Sequence, residues 1–515
     1  MGNLKADREQ VSAWVESQMP ALIQMLTEIC QIRSVAEVKD AKVKPFGEGC
    51  IKVLHKMLQI GEEEGFETRN FDDYVGSITY PGRTKENIGI WAHLDVVDEG
   101  KDWDFSPYEP TVKNGYMVAR GCNDNKSSAA IAMFVLKYMK EHNIQLNHTL
   151  ELYAGTCEEQ GMDDIDYFVE HYPCPTLSLV PDSGFPVCCG ERGSFNGELT
   201  YTKCCEDLLD VKSGDDLYTV PEKAEAVLRF CEERWLRCAL AMDEELKTAT
   251  DKSSNMADGD KEVGQFTELT FKNGIRVYIS GDELHIEATG ISTQASIPEK
   301  GDSALTKLAA FICKNQLLER PEVEIFEMVC RINNAIHDGS GLNVFCRDEM
   351  SGPMKLVATK LNFVGEEGKE GGVKYPQIAF ISKYPFSKND FPFEENARKV
   401  AEDYGFELKV TRLGKATFFN PDRPVVERLT DCCNEVLGTN DKPFVMSGGT
   451  YARKLPNALA FGTGMRVPKA PEGMFRPGHG SYHQPDESIS LERVQKALEV
   501  YIHAILAIDD MDLTE

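Results

Sequence analysis

Five short stretches carry side chains that could do chemistry together: WAHLDVV (91–97), GCNDNKSS (121–128), AGTCEEQG (154–161), LVPDSGFP (179–186) and GHGSYHQPDE (478–487). They supply His93, Asp95, Asp124, Glu158, Glu159, Asp182, His479 and His483, all imidazoles and carboxylates, the side chains that hold divalent metal ions. The apolar run from Ile88 to Ala92 ends in His93, with Asp95 two residues on. Alternation along a strand points residues i and i+2 to one face, which suits a metal-binding imidazole with a carboxylate close behind. A lone His-x-Asp more often ends a strand than binds a metal, and each other stretch alone can be a helix cap or a solvated turn. Their repetition at strand ends changes that balance, because ligands of parallel α/β sheets belong at the carboxyl ends of the strands.

The elements that must position these residues are visible in the hydrophobic pattern. Helical periodicity covers Val11–Ile32, Gly49–Glu64 and Ser127–Glu141, and short apolar runs mark strands at Gly89–Ala92, Leu150–Ala154 and Leu177–Val180. Strands alternating with helices predict a mostly parallel sheet covered on both faces. After Arg192 the character changes. Strand-like stretches at Phe195–Tyr201, Thr267–Phe271, Arg276–Ile279 and Leu284–Thr289 stand beside helical ones at Glu222–Lys247 and Ala304–Ile312. Residues 248–262 and 365–372 read as polar loops. The α/β pattern returns near Lys415, with helices at Val425–Leu437 and Leu491–Ile508. The expected organisation is an α/β catalytic domain in two parts, 1–198 and 413–515, interrupted by an inserted α+β domain, 199–412.

Composition narrows the function classes. A chain of 515 residues with 42% hydrophobic and 27% charged content fits a soluble, multi-domain protein. A net charge of -28 disfavours nucleic acid and anionic membrane surfaces, whose phosphates it would repel. No apolar run reaches the ~18 residues of a membrane span, and the start, MGNLKADREQ, has no signal core, so a cytoplasmic location is expected. The 16 cysteines are scattered and form no CxxC pair, which reads as reduced, mostly buried thiols.

Taken in order, HLDVV, GCNDNK, TCEEQG, PDSGFP and HQPDE resemble the M20 metallopeptidases, and GGTYARKLPNALAFG (448–462) is similar to the PepV/Sapep-like dipeptidase branch. The resemblance covers nearly the whole chain. It implies a dinuclear-metal catalytic domain with an inserted lid domain. His93 and Asp182 would hold one metal, Glu159 and His483 the other, and Asp124 would bridge both. Asp95 would orient His93, and Glu158 would be the general base. The QPDE after His483 matches the family and favours it over His479. Two divalent ions are therefore expected, zinc first, with manganese or cobalt as alternatives. The implied activity is hydrolysis of the amide bond of a dipeptide or similar small amino-acid amide by metal-activated water. Members with a lid of this long type are typically monomers, so a monomer is expected.

The resemblance weakens in the insert. The family segment GKSAHASxPExG appears as GISTQASIPEKG, with Gln294 at the histidine position. The asparagine before Val-Pro-Asp is replaced by Tyr218 in LYTVPEKAEA, and the arginine before Tyr-Pro by Lys383 in ISKYP. Tyr218, Gln294, Lys383, Thr450 and Arg453 are the substrate-binding residues the resemblance implies. Gln294 can donate a hydrogen bond but carries no charge, and Lys383 pairs with a carboxylate as a point charge and not a fork. Two alternatives stay open: an amidohydrolase or deacylase for an N-acyl or otherwise modified amino acid, and a weakly active binding protein on the same fold.

Overall fold

The run Ile88–Ala92 becomes the central strand Asn87–His93. Ile88, Ile90 and Ala92 enter one apolar core and Trp91 enters another, as period-two alternation requires of a strand covered on both faces. His93 follows Trp91 on the second face, its ring 6.3 Å from that of Tyr451. The structure is a computed structural model, and it describes residues 7–39, 42–250, 267–365, 374–467 and 470–514.

The chain divides into two compact units, Met1–Glu191 with Thr417–Glu515, and Arg192–Ala416. The first holds a nine-stranded mixed sheet. Its middle runs Thr149–Gly155, Asn87–His93, Leu177–Val180 and Ala458–Ala460, parallel to one another. One edge is the antiparallel hairpin Glu67–Phe71 and Val75–Tyr80, which the sequence reading passed over; a connection this short permits only an antiparallel pair. Helices Arg8–Cys30, Glu48–Glu63, Lys126–Glu141, Pro424–Leu437 and Leu491–Ile508 close the larger core on one face. Helix Asp163–His171 helps cover the other, with Phe168 against Trp91. The Lys126 ammonium is buried, yet it donates to the carbonyls of Ile29 and Ile32 at 3.0 and 2.9 Å. A cation at the C-terminal end of Arg8–Cys30 meets the negative pole of that helix.

The second unit is built on a nine-stranded sheet whose neighbours are all antiparallel, backed by helices Ala304–Lys314, Val323–Ile332 and Phe393–Asp403. Strands Ser194–Tyr201 and Phe406–Gly414 pair along their lengths, so both belong to this unit and its ends lie outside the expected 199–412. One expectation is corrected. Glu222–Lys247 is not one helix: Lys223–Arg229 is a strand, and the helix begins at Glu232. Its Ala, Glu and Leu favour helices, but Ala224, Ala226 and Leu228 are buried at period two and the segment pairs with Glu283–Thr289. Of the two expected loops, 251–262 and 366–372 lie outside the described residues. All sixteen cysteines are free, most of them buried, and among the described residues no helix is long and apolar enough to cross a membrane.

Candidate metal centre

Turns at the carboxyl ends of three central strands carry His93, Glu159 and Asp182, and two other segments of the first unit, the turn before helix Lys126–Glu141 and the loop before strand Ser488–Ser490, add Asp124 and His483. His93 ends its strand with Nε2 3.1 Å from Asp124 Oδ1 and 3.9 Å from Asp182 Oδ2. Asp124 precedes helix Lys126–Glu141, and its other oxygen, Oδ2, stands 3.2 Å from His483 Nε2. The same His483 nitrogen is 3.0 Å from Glu159 Oε1. One carboxylate thus faces two imidazoles, one with each oxygen. Ligand atoms of His93, Asp124 and Glu159 lie within 4.8 Å of one another, as do those of His93, Glu158 and Asp182. Two imidazole nitrogens and several carboxylates converging in this way form a donor set that fits divalent metal ions. The cluster runs from His93, 1% exposed, outward to His483, whose side chain is 48% exposed.

Buried acceptors hold the backbone under these ligands. Asp95 is fully buried, and its carboxylate oxygens accept from the backbone N–H groups of Glu158 and Glu159, each at 3.0 Å. Its backbone carbonyl lies 3.0 Å from His93 Nδ1, nearer than its carboxylate at 3.5 Å. Asp95 therefore addresses both the imidazole and the paired glutamates. Glu487, also fully buried, accepts from the N–H groups of Asn123 and Asp124 with one oxygen and from Gly121 N–H and Arg120 with the other. Asn125 Nδ2 donates to Asp182 Oδ1 at 3.1 Å. Sequence reasoning missed both supports: Glu487 stood inside the quoted QPDE and Asn125 inside GCNDNK, but no spacing rule singled them out.

The charges answer one another. Burial opposes ionisation of Asp124, but the His483 and His93 imidazoles more than offset it and hold its carboxyl below the usual range. Burial likewise opposes charge on His483, yet Asp124 and Glu159 raise it to about 11. Asp182 is pushed up to about 7 by burial and the Asp124 charge. Burial, opposed by the His93 charge and aided by Asp182, Glu159 and Asp95, raises Glu158 well above the carboxylate range. Perturbed carboxyls of this kind gather at functional sites.

His479 stands apart from this cluster, its Nδ1 2.6 Å from Asp486 Oδ2, and Asp486 accepts from the N–H groups of Asp104 and Phe105. Thr450 and Arg453 are both anchored on Glu191, which is 2% exposed: Thr450 donates from N and Oγ1 at 2.9 and 2.6 Å, and Arg453 from Nε at 3.0 Å. Within the second unit, Gln294 forms a bridge with Thr219, and Ala295 N–H donates to the Tyr218 carbonyl at 2.8 Å. Lys383 ends strand Lys374–Lys383, opposite Lys355. A small apolar cluster of Val220, Ala295, Val357 and Ile381 joins the segments that carry Tyr218, Gln294 and Lys383.

The chain is similar to known proteins over most of its length. A model of the family described as "Peptidase family M20/M25/M40" matches residues 89–507. "Putative dipeptidase YtjP" of Bacillus subtilis (strain 168) is 28% identical over 491 residues, 94% of this chain and 96% of that protein. "Putative dipeptidase SH1171" of Staphylococcus haemolyticus is 25% identical over 509 residues, 96% of this chain and 99% of the relative. Among solved structures, human carnosine dipeptidase 1 shares the fold with a TM-score of 0.53 at 14% identity, covering 99% of this chain and 100% of that one. The aminoacylhistidine dipeptidase of Vibrio alginolyticus gives 0.51 at 13% identity, covering 94% and 96%.

Proposed function

The chain belongs to peptidase family M20/M25/M40, and from that premise we propose that it hydrolyses the amide bond of a dipeptide or similarly small amino-acid amide at a dinuclear metal centre. The observation that carries this reading is the double-sided Asp124 carboxylate, 3.1 Å from His93 through one oxygen and 3.2 Å from His483 through the other. By the family resemblance His93 and Asp182 would hold one ion, Glu159 and His483 the second, and Asp124 both, a partition supported by the His93–Asp124, His93–Asp182, His483–Asp124 and His483–Glu159 approaches, with zinc the first choice and manganese or cobalt the alternatives. Divalent ions held in this way supply Lewis acidity, polarising the scissile carbonyl and lowering the pKa of water. Glu158 takes the proton of the attacking water and returns it to the departing amine nitrogen. Asp95 keeps the His93 ring and the Glu158–Glu159 backbone in register while this happens.

The dipeptidase names of the full-length relatives support a dipeptide as substrate. A panel of dipeptides and N-acyl amino acids, assayed with zinc, manganese and cobalt, tests the proposal. Hydrolysis of dipeptides is the expected result, and inactivity on every small amide at every metal loading sinks it.

One observation favours a second reading, an amidohydrolase or deacylase for an N-acyl or otherwise modified amino acid. By the motif resemblance Tyr218, Gln294 and Lys383 stand where the family carries asparagine, histidine and arginine, and their segments meet on one apolar cluster. Gln294 is proposed as a donor to the developing oxyanion, a contact whose loss costs about 10²–10³ in rate elsewhere. Gln294→Ala should then lower kcat and kcat/KM by similar factors, as an interaction made only in the transition state does. Gln294→His separates the two readings. Gain of efficient general dipeptidase activity from this one change rules out a pocket rebuilt for another amide, and little gain with loss of the enzyme's own substrate supports it.

A further inference from the structure

The strand Thr149–Gly155 ends just before the paired glutamates, and the next four residues are tied down in an unusual way. Thr156 N–H and Cys157 N–H both donate to Asp164 Oδ2, at 2.7 and 3.0 Å. Glu158 N–H and Glu159 N–H donate to the two oxygens of Asp95, each at 3.0 Å. Four successive backbone donors therefore end on two carboxylates, both fully buried. Hydrogen bonds to ionised acceptors are roughly twice as strong as neutral ones, and they fix a backbone that water would otherwise solvate.

Asp164 is itself fixed from three sides. It sits in the first turn of helix Asp163–His171, where the helix's positive pole favours a carboxylate. Its Oδ1 accepts from Ile165 N–H at 2.9 Å, and its Oδ2 accepts from the Tyr451 hydroxyl at 2.5 Å. Tyr451 is 1% exposed and lies in the GTYARK stretch. The hydroxyl reaches Asp164 only because residue 155 has no side chain: a Cβ there would stand 2.1 Å from Tyr451 Oη and 2.6 Å from Asp164 Oδ2.

We propose that Asp164, held by Tyr451, is a positioning residue for the catalytic carboxylate Glu158 and the ligand Glu159, acting through the backbone of Thr156 and Cys157. This rests on the roles given to Glu158 and Glu159 above. Asp95 sets the backbone of the two glutamates from below, and Asp164 sets the two residues that lead into them. Together they fix the backbone of the turn after the strand, from which both side chains leave.

The test compares Asp164→Asn, Tyr451→Phe and the double variant with the wild-type enzyme, each assayed with zinc for bound metal, kcat and KM, and with Glu158→Gln alongside. Supporting partners of a metal site elsewhere are worth about 10–100-fold, so Asp164→Asn should lower kcat by that order with KM and metal content near wild type. Tyr451→Phe should lower kcat less, and the double variant should be no worse than Asp164→Asn, because both act through one contact. A merely structural role would lower thermal stability and leave kcat of the folded enzyme unchanged. A folded Asp164→Asn enzyme with wild-type kcat overturns the proposal; should that variant not fold, wild-type kcat in Tyr451→Phe overturns it. Glu158→Gln keeps the two questions apart: full turnover there removes the general-base reading whatever the Asp164 variants do.

Discussion

Glu158 and Glu159 are chain neighbours that both lie near His93, Glu158 in a group with Asp182 and Glu159 in a group with Asp124. Only Glu159 is also paired with His483, at 3.0 Å. If Glu158 moves protons and Glu159 binds metal, the alanine variants must fail differently. Glu158→Ala should keep its metal and lose turnover by about 10²–10⁴, the usual worth of a general base. Glu159→Ala should lose metal first and activity as a consequence. Metal analysis of the two purified variants decides this: equal metal loss in both would mean the roles are assigned the wrong way round. That His93, Asp124, Glu159, Asp182 and His483 belong together was legible in the sequence because imidazoles and carboxylates recur in five short stretches, whereas their roles as ligands came from the family resemblance alone. Asp164 and Glu191 were not legible, since a buried acidic residue that accepts backbone N–H groups looks, in sequence, like any surface aspartate or glutamate.

At the scale of elements, the first unit was read closely from its pattern, because apolar strands and amphipathic helices there have unmixed periods. Lys126–Glu141 and Leu491–Ile508 match the expected helices to within a residue at each end. The insert was harder. Lys223–Arg229 carries helix-favouring residues in a two-residue burial period, and it pairs with the nearby Leu208–Ser213 on one side and with the distant Glu283–Thr289 on the other. Only the pairing resolves that conflict. The last helix also carries a consequence for stability. His503 is buried with neither ring nitrogen hydrogen-bonded among the described residues, and burial lowers its pKa below the ordinary value, with Arg8 adding to the effect and Glu499 opposing it. The unfolded chain, with a histidine pKa of about 6.5, then binds the proton more tightly than the folded one. Stability from a neutral His503 is fully present above about pH 6.5 and is lost as pH falls toward the lower folded value. Thermal melts between about pH 8 and 5 should show a shallower loss for His503→Leu than for the wild type. Parallel curves would contradict the assignment.

For the whole molecule, two compact units in one chain, Met1–Glu191 with Thr417–Glu515 and Arg192–Ala416, set the frame for assembly. We propose that the enzyme is a monomer, because the insert of 225 residues from Arg192 to Ala416 is of the long type that resembles monomeric members. Sedimentation at micromolar concentration should give a single species near 57.6 kDa, and a stable dimer would count against it. The net charge of -28 acts in the same direction, since like-charged copies repel at low salt.

The central claim is that one carboxylate, Asp124, organises two metal ions that the reaction requires. Its most direct test is turnover of a dipeptide by chelator-stripped enzyme as zinc is added back, run in parallel on Asp124→Ala. The account predicts that wild-type activity returns and levels off at two ions per chain, while Asp124→Ala binds little metal and stays inactive at every loading. Undiminished hydrolysis by the stripped enzyme, or an Asp124→Ala variant that takes up two ions and works, would contradict it.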